Sequence, residues 1–178
     1  MKYVKAILLI IVSMLILFLV VGIFMPDKYE IERSIIIDCP AEVVFWQAAD
    51  LENFNKWNTW YEEEPSAYFP ISGQPGEGQS SEWKGDIVGS GKLTNTSVKE
   101  FSRIEQELVF TEPFASEVFT WYDLKEINGK TEISWGASGN LSYPIERYMK
   151  VMIESGLNKS FNQGLANLKK HCEEICKQ

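Results

Sequence analysis

From Ala6 to Met25 the chain runs AILLIIVSMLILFLVVGIFM, with no charged residue and only Ser13 as a hydroxyl side chain. About 20 such residues in a helix cover the roughly 30 Å of a bilayer's hydrocarbon core, and a helix satisfies its own backbone groups there. Pro26 ends the run. A cleaved signal peptide has a shorter apolar stretch, roughly 7–15 residues, before a small-x-small site; Val21-Gly22-Ile23-Phe24-Met25 offers bulky residues instead. The pattern therefore predicts an uncleaved membrane anchor over residues 6–25.

Beyond the anchor the period changes. Tyr29–Asp38 is β-branched and partly alternating, which predicts a strand. Asp38-Cys39-Pro40 breaks it, and Val44, Phe45 and Ala48 then recur at helical spacing over Ala41–Asp50. Phe54, Trp57 and Trp60, three apart, predict a short helical turn with one buried side. Residues 62–79 are rich in Pro and Gly and read as loop. Five strands follow, at Ser80–Gly85, Gly89–Val98, Arg103–Thr111, Glu117–Lys125 and Thr131–Leu141, with Asn128-Gly129 as a hairpin signal. Tight connections imply an antiparallel meander. From Pro144 onward Ile145, Tyr148/Met149, Met152/Ile153, Leu157, Phe161, Leu165, Leu168, Cys172 and Ile175 predict one apolar stripe on a long helix. Gly156 and Gly164, beside it, mark a bend or a close backbone contact. The order strand, helices, strands, long helix is an α+β layout with helices on one face of the sheet. Two units are expected: 1–28, comprising the N-terminal tip and membrane helix, and 29–178, the folded domain.

Charge narrows the partners. The net charge is −8, and setting aside Lys2 and Lys5 leaves 15 of the 17 basic residues against 25 acidic ones, a net of −10. Such a body has no footprint for nucleic acid and is repelled by anionic lipid. Lys2 and Lys5 before the span favour an inside N-terminus, which puts the domain outside the cytoplasm. Cys39, Cys172 and Cys176 are too few for a disulfide framework. Cys172 and Cys176, one helical turn apart, suit shared packing.

His171 stands alone as histidine, near a helix end where a cation or plain exposure is ordinary, so no triad is expected. His171, Cys172 and Cys176 cannot all converge on one ion from a helix. Gly85–Lys92 (GDIVGSGK) has the look of a phosphate loop, but Asp86 and Leu93 stand where glycine and Ser/Thr are required. Glu62-Glu63-Glu64 reads as a solvated charge run. No catalytic residue, metal site or cofactor is expected. Arg103, Asp123 and Arg147 can touch a ligand or sit outside.

With these motifs the chain resembles the SRPBCC superfamily of START, polyketide cyclase and Bet v 1-like helix-grip domains, in its bacterial forms with an N-terminal membrane helix. The stretches that carry the likeness are IERSIIIDCPAEVVF, DLENFNKWNTW, SEWKGDIVGSGKLT, VFTEPF and FNQGLANLKK, spanning roughly residues 29–172. The resemblance implies a curved antiparallel sheet gripping the C-terminal helix around a cavity for an apolar ligand. Trp57, Trp60, Trp83, Phe110, Trp121, Trp135, Met149, Met152 and Ile153 are the residues expected to line it, with the methionines as adaptable surface. Three readings stay open: these side chains line a hollow, they fill a solid core, or, last in order, they form exposed aromatic patches. The functions that follow are, in order, a tethered binding or carrier domain for a lipid, quinone or polyketide-like molecule, an interaction or regulatory module with a filled core, and a cyclase or dehydratase.

Overall fold

The computed structural model describes residues 2–177. Along the chain come helix α1 (Lys2–Phe24), strand β1 (Lys28–Ile37), helices α2 (Ala41–Ala49), α3 (Leu51–Phe54) and α4 (Thr59–Glu63), strands β2 (Ile71–Ser72), β3 (Ser80–Lys84), β4 (Ser90–Lys99), β5 (Arg103–Glu112), β6 (Ser116–Ile127) and β7 (Lys130–Asn140), and helix α5 (Ile145–Ile175). The strands form one antiparallel sheet in the order β1-β7-β6-β5-β4-β3-β2. Among the strands only β2 is new relative to the pattern, two residues opposite Ser80 and Ser81 being too few to show an alternation; the expected turn at Phe54–Trp60 is instead the two short helices α3 and α4, the second running into the expected loop as far as Glu63.

Alternation decides which face is inside. On β6, Val118, Thr120, Tyr122 and Leu124 are buried against the helices, as are Thr131, Ile133, Trp135 and Ala137 on β7. The register between these strands is pinned by Asn128 and Gly129, both at positive φ, which places Ile127 opposite Lys130. Helix α2 buries Val44, Phe45 and Ala48 completely. A buried polar chain ties the helices to the sheet. Gln79 accepts from the Leu51 amide and donates to Asp50, Asn95 donates to the Ala49 carbonyl, and Gln106 donates to Asn95. Each group has a partner, so the network costs little to bury.

Register also sorts the two ends of the sheet. Lys28 faces Asn140, Gly139 faces Val118, Ser116 faces Phe110, and Phe110 and Trp83 both face Gly91. The turns at 85–89 and 113–115, the exit of α1 and the start of α5 therefore lie at one end.

Two expectations are corrected here. The apolar stripe of α5 is not continuous: Phe161, Leu165, Leu168 and Cys172 are buried, while Ile145, Met149, Met152 and Ile175 are exposed. The cysteines need more than the expected packing: Cys176 is disulfide-bonded to Cys39, against the Cys172 backbone, and Cys172 is free. Their Cα atoms are 6.0 Å apart, within the usual range for a disulfide. A separation of 137 residues hides that pairing from any local reading.

Candidate functional site

On the inner face of the sheet lie two adjoining small hollows of about 50 and 40 Å³, the first beneath α3 and α4 and the second reaching α5. They share Phe54, Trp60, Leu93, Leu108 and Phe110 as walls. The outer one continues to Phe69, Trp83 and Val88; the inner one is closed by Val118, Trp135, Leu157 and Phe161. Each can hold a few waters or a small apolar fragment, well below the roughly 300 Å³ of a typical ligand pocket. Wider depressions on the sheet's outer face, lined by residues such as Lys28, Glu107 and Glu117, are open to solvent.

The expected lining residues divide. Trp60, Trp83, Phe110 and Trp135 do line the hollows. Trp135 stacks on Phe161 at 4.2 Å and donates its Nε1–H to Thr120 at 3.0 Å. Trp83 meets Phe110 edge-on at 5.4 Å. Trp57 sits one layer back, buried, edge-on to Phe54 and Trp135, its Nε1–H on the Gln47 carbonyl. Trp121 is on the other side of the sheet. Strand alternation turns it outward, where it stacks on Phe119, lies over Gly136 and donates to Glu32. A Cβ at 136 would stand 2.2 Å from that indole, so only glycine admits it. Met149, Met152 and Ile153 do not line the hollow either: they lie on the first turns of α5, before Leu157, with Met149 and Met152 exposed.

Residues that the pattern did not single out complete the walls: Phe69, Val88, Leu93, Leu108, Val118 and Tyr122. The inward alternation of β5 and β6 was signal enough for Leu108, Val118 and Tyr122. Tyr122 is the notable one. Fully buried, its hydroxyl finds no hydrogen-bond partner among the described residues, and burial holds its pKa well above the ordinary 10.0. Among the described residues, no Asp, Glu, His, Lys, Arg or Cys lines either hollow.

The other candidates are elsewhere. Arg103 pairs with Glu105 and Asp123 at 2.8 and 2.6 Å on the outer face, and both carboxylates hold its pKa above the usual value. Arg147 points at α1. His171 meets Gln47, and desolvation together with Lys56 lowers its pKa. Glu64 departs from the expected solvated run: it is buried and accepts from the amides of Asp86, Ile87 and Val88 at 2.9, 2.8 and 3.0 Å.

A curved antiparallel sheet closed by a long C-terminal helix defines the class as a helix-grip domain of the SRPBCC superfamily. The chain belongs to the family described as polyketide cyclase / dehydrase and lipid transport, whose profile matches residues 28–173. Solved structures agree on the fold. The KanY protein aligns with a TM-score of 0.62 at 14% identity, covering 83% of this chain and 99% of that one. Mll3558 from Rhizobium loti gives 0.61 at 15%, covering 80% and 96%. Ara h 8.0201 gives 0.55 at 12%, covering 82% and 97%. Comparison with curated proteins finds no match.

Proposed function

We propose that the chain is a membrane-anchored binding or carrier domain for a small hydrophobic ligand, such as a lipid, quinone or polyketide-like molecule, with the division between anchor and domain near residue 28. The observation that carries this reading is an aromatic-walled hollow whose one buried, unpartnered polar atom is the Tyr122 hydroxyl. Apolar walls supply affinity at about 25 cal/mol per Å² of buried surface, and a few polar groups fix orientation. An acid/base enzyme would need a titratable pair in the same space, and the lining offers only a phenol held protonated.

The anchor reading has support beyond hydropathy. The last turns of α1 accept hydrogen bonds from Tyr143, Tyr148 and Arg147, contacts that a cleaved leader would not keep. The Cys39–Cys176 pairing favours an oxidising compartment, in line with the domain lying outside the cytoplasm.

The modest volume favours a second reading, an interaction module with a filled core. Native mass spectrometry of the full chain released from its membranes separates the two. A bound apolar mass, lost in Leu108→Phe, supports the carrier. Repeated empty spectra from folded protein favour the module.

A further inference from the structure

Over its first half, α5 is amphipathic in the wrong sense for water. Ile145, Met149 and Met152 share one face by their i, i+4, i+7 spacing, and Ile145 and Met152 are 63% and 62% exposed. Their charged neighbours Lys150 and Glu154, paired at 2.9 Å, show only 26% and 28% of their side chains. Apolar groups left bare beside covered charges reverse the ordinary order of burial. The same end of the sheet carries two more bare side chains, Phe114 in the β5–β6 turn (81% exposed) and Ile87 in the β3–β4 turn (73%). Ile87 is not on a loose loop. The three amide bonds to the buried Glu64 carboxylate fix that turn with the isoleucine outward.

Helix α1 leaves the domain at this end and is fastened to α5. Tyr148 and Tyr143 donate to the carbonyls of Phe18 and Leu19, Arg147 to those of Gly22, Ile23 and Met25, and Lys150 to that of Lys28. These bonds set the first turns of α5 beside the last turns of α1 and the exit that follows them. Phe18 lies six residues before the end of α1, about 9 Å along the axis. A span that fills the hydrocarbon core therefore puts the Tyr143 and Tyr148 hydroxyls just inside it and the Arg147 and Lys150 contacts at its edge, so the start of α5 straddles the boundary of acyl chains and headgroups. Tyrosine rings and cations with long stems suit that depth.

We infer that this end of the domain docks on the bilayer that α1 crosses, with Ile145, Met149, Phe114 and Ile87 seated at the boundary of headgroups and acyl chains. The inference rests on the reading of α1 as a membrane span. It gives the inverted half of α5 its apolar partner. It also turns the outer hollow, walled by Val88 and Phe110 at the same end, toward lipid, so that an apolar ligand need not cross water. With a domain charge near −10, apolar contact rather than attraction to anionic headgroups holds it down, so docking persists at high salt.

The test uses the full chain in phosphatidylcholine vesicles, with an environment-sensitive fluorescent residue placed singly at Ile145, Phe114 or Ile87. Val12 in the span and Ile127 at the opposite end of the sheet serve as references. Replacing the host lipid by its bromo-acyl form should remove about half or more of the emission at 12 and at all three tips, as for groups immersed about 5–10 Å, and leave 127 bright. Quenching at 12 with tips as bright as 127 overturns the docking and leaves the anchor standing. An unquenched position 12 overturns the anchor and the docking with it.

Discussion

The buried Tyr122 hydroxyl has no hydrogen-bond partner among the described residues, and on the proposed reading it serves the ligand, a split that is measurable. A buried polar group without a partner costs about 1–3 kcal/mol, so Tyr122→Phe should raise the unfolding midpoint by an amount worth about 1 kcal/mol. The same substitution should weaken a ligand bearing one hydrogen-bonding group by up to about tenfold, the worth of one such bond. A destabilised variant would mean that the hydroxyl has an internal partner and no role in recognition. Gly164 gives the opposite sign. A Cβ there would stand 2.7 Å from the Trp135 ring, which is buried and stacked on Phe161 and cannot give way. Alanine gains about 1 kcal/mol of helix propensity, but overpacking costs about 1–3. Gly164→Ala should therefore be neutral to destabilising by about 2 kcal/mol in denaturant titration, where an exposed glycine such as Gly156, with nothing within 4 Å, should gain from the same change.

Among the elements, the turn at residues 85–89 depends on one carboxylate. The amides of Val88 and Ile87, with that of Asp86 adding, hold the Glu64 pKa below its ordinary 4.5 despite the opposing effect of burial. A depressed carboxylate stabilises the fold fully above the unfolded pKa and loses that contribution as pH falls through the folded one. Hydrogen exchange at amides 86–88, corrected for intrinsic rates, should show protection that is flat above pH 4.5 and collapses below it. Glu64→Gln should show weak protection at every pH. This element also shows where pattern reading stops. Three glutamates in a loop look alike in sequence, and only the tertiary approach of the β3–β4 turn selects the third. The α5 stripe failed differently, since its break was legible. Met152 to Leu157 is a step of five residues, about 140° of phase, so Ile145, Met149 and Met152 and the Leu157–Cys172 set occupy different faces. The meander, its Asn-Gly hairpin and the extents of α2 and α5 came through because period-2 and period-3.6 patterns and Asn-Gly act locally, whereas the pairing of β1 with β7 spans the whole domain and leaves no local mark. The hollow came through in part, since Trp60, Trp83, Phe110 and Trp135 sit on inward positions. Trp121, one residue out of step with them, was an alternation that the chain had already written down.

At the scale of the whole molecule, the Cys39–Cys176 disulfide joins the beginning of α2 to the end of α5 and so closes almost the entire domain into a loop. A loop of that size places the loss in Cys176→Ser toward the upper part of the usual 2–4 kcal/mol. The bond also turns compartment into a thiol count. Cys172 is buried and its thiol is pushed up to about 12, by burial first and Glu173 second, so it is shielded from alkylation while the domain is folded. Protein taken from its own membranes with thiols trapped on lysis should therefore label at no site when native, at one when denatured without reductant, and at three after reduction. That result fits a domain held in an oxidising space. Three reactive thiols without reductant would place the domain on the reducing side of the membrane. In that case the charge bias of Lys2 and Lys5 would be misleading and the ends of α2 and α5 would be held by packing alone.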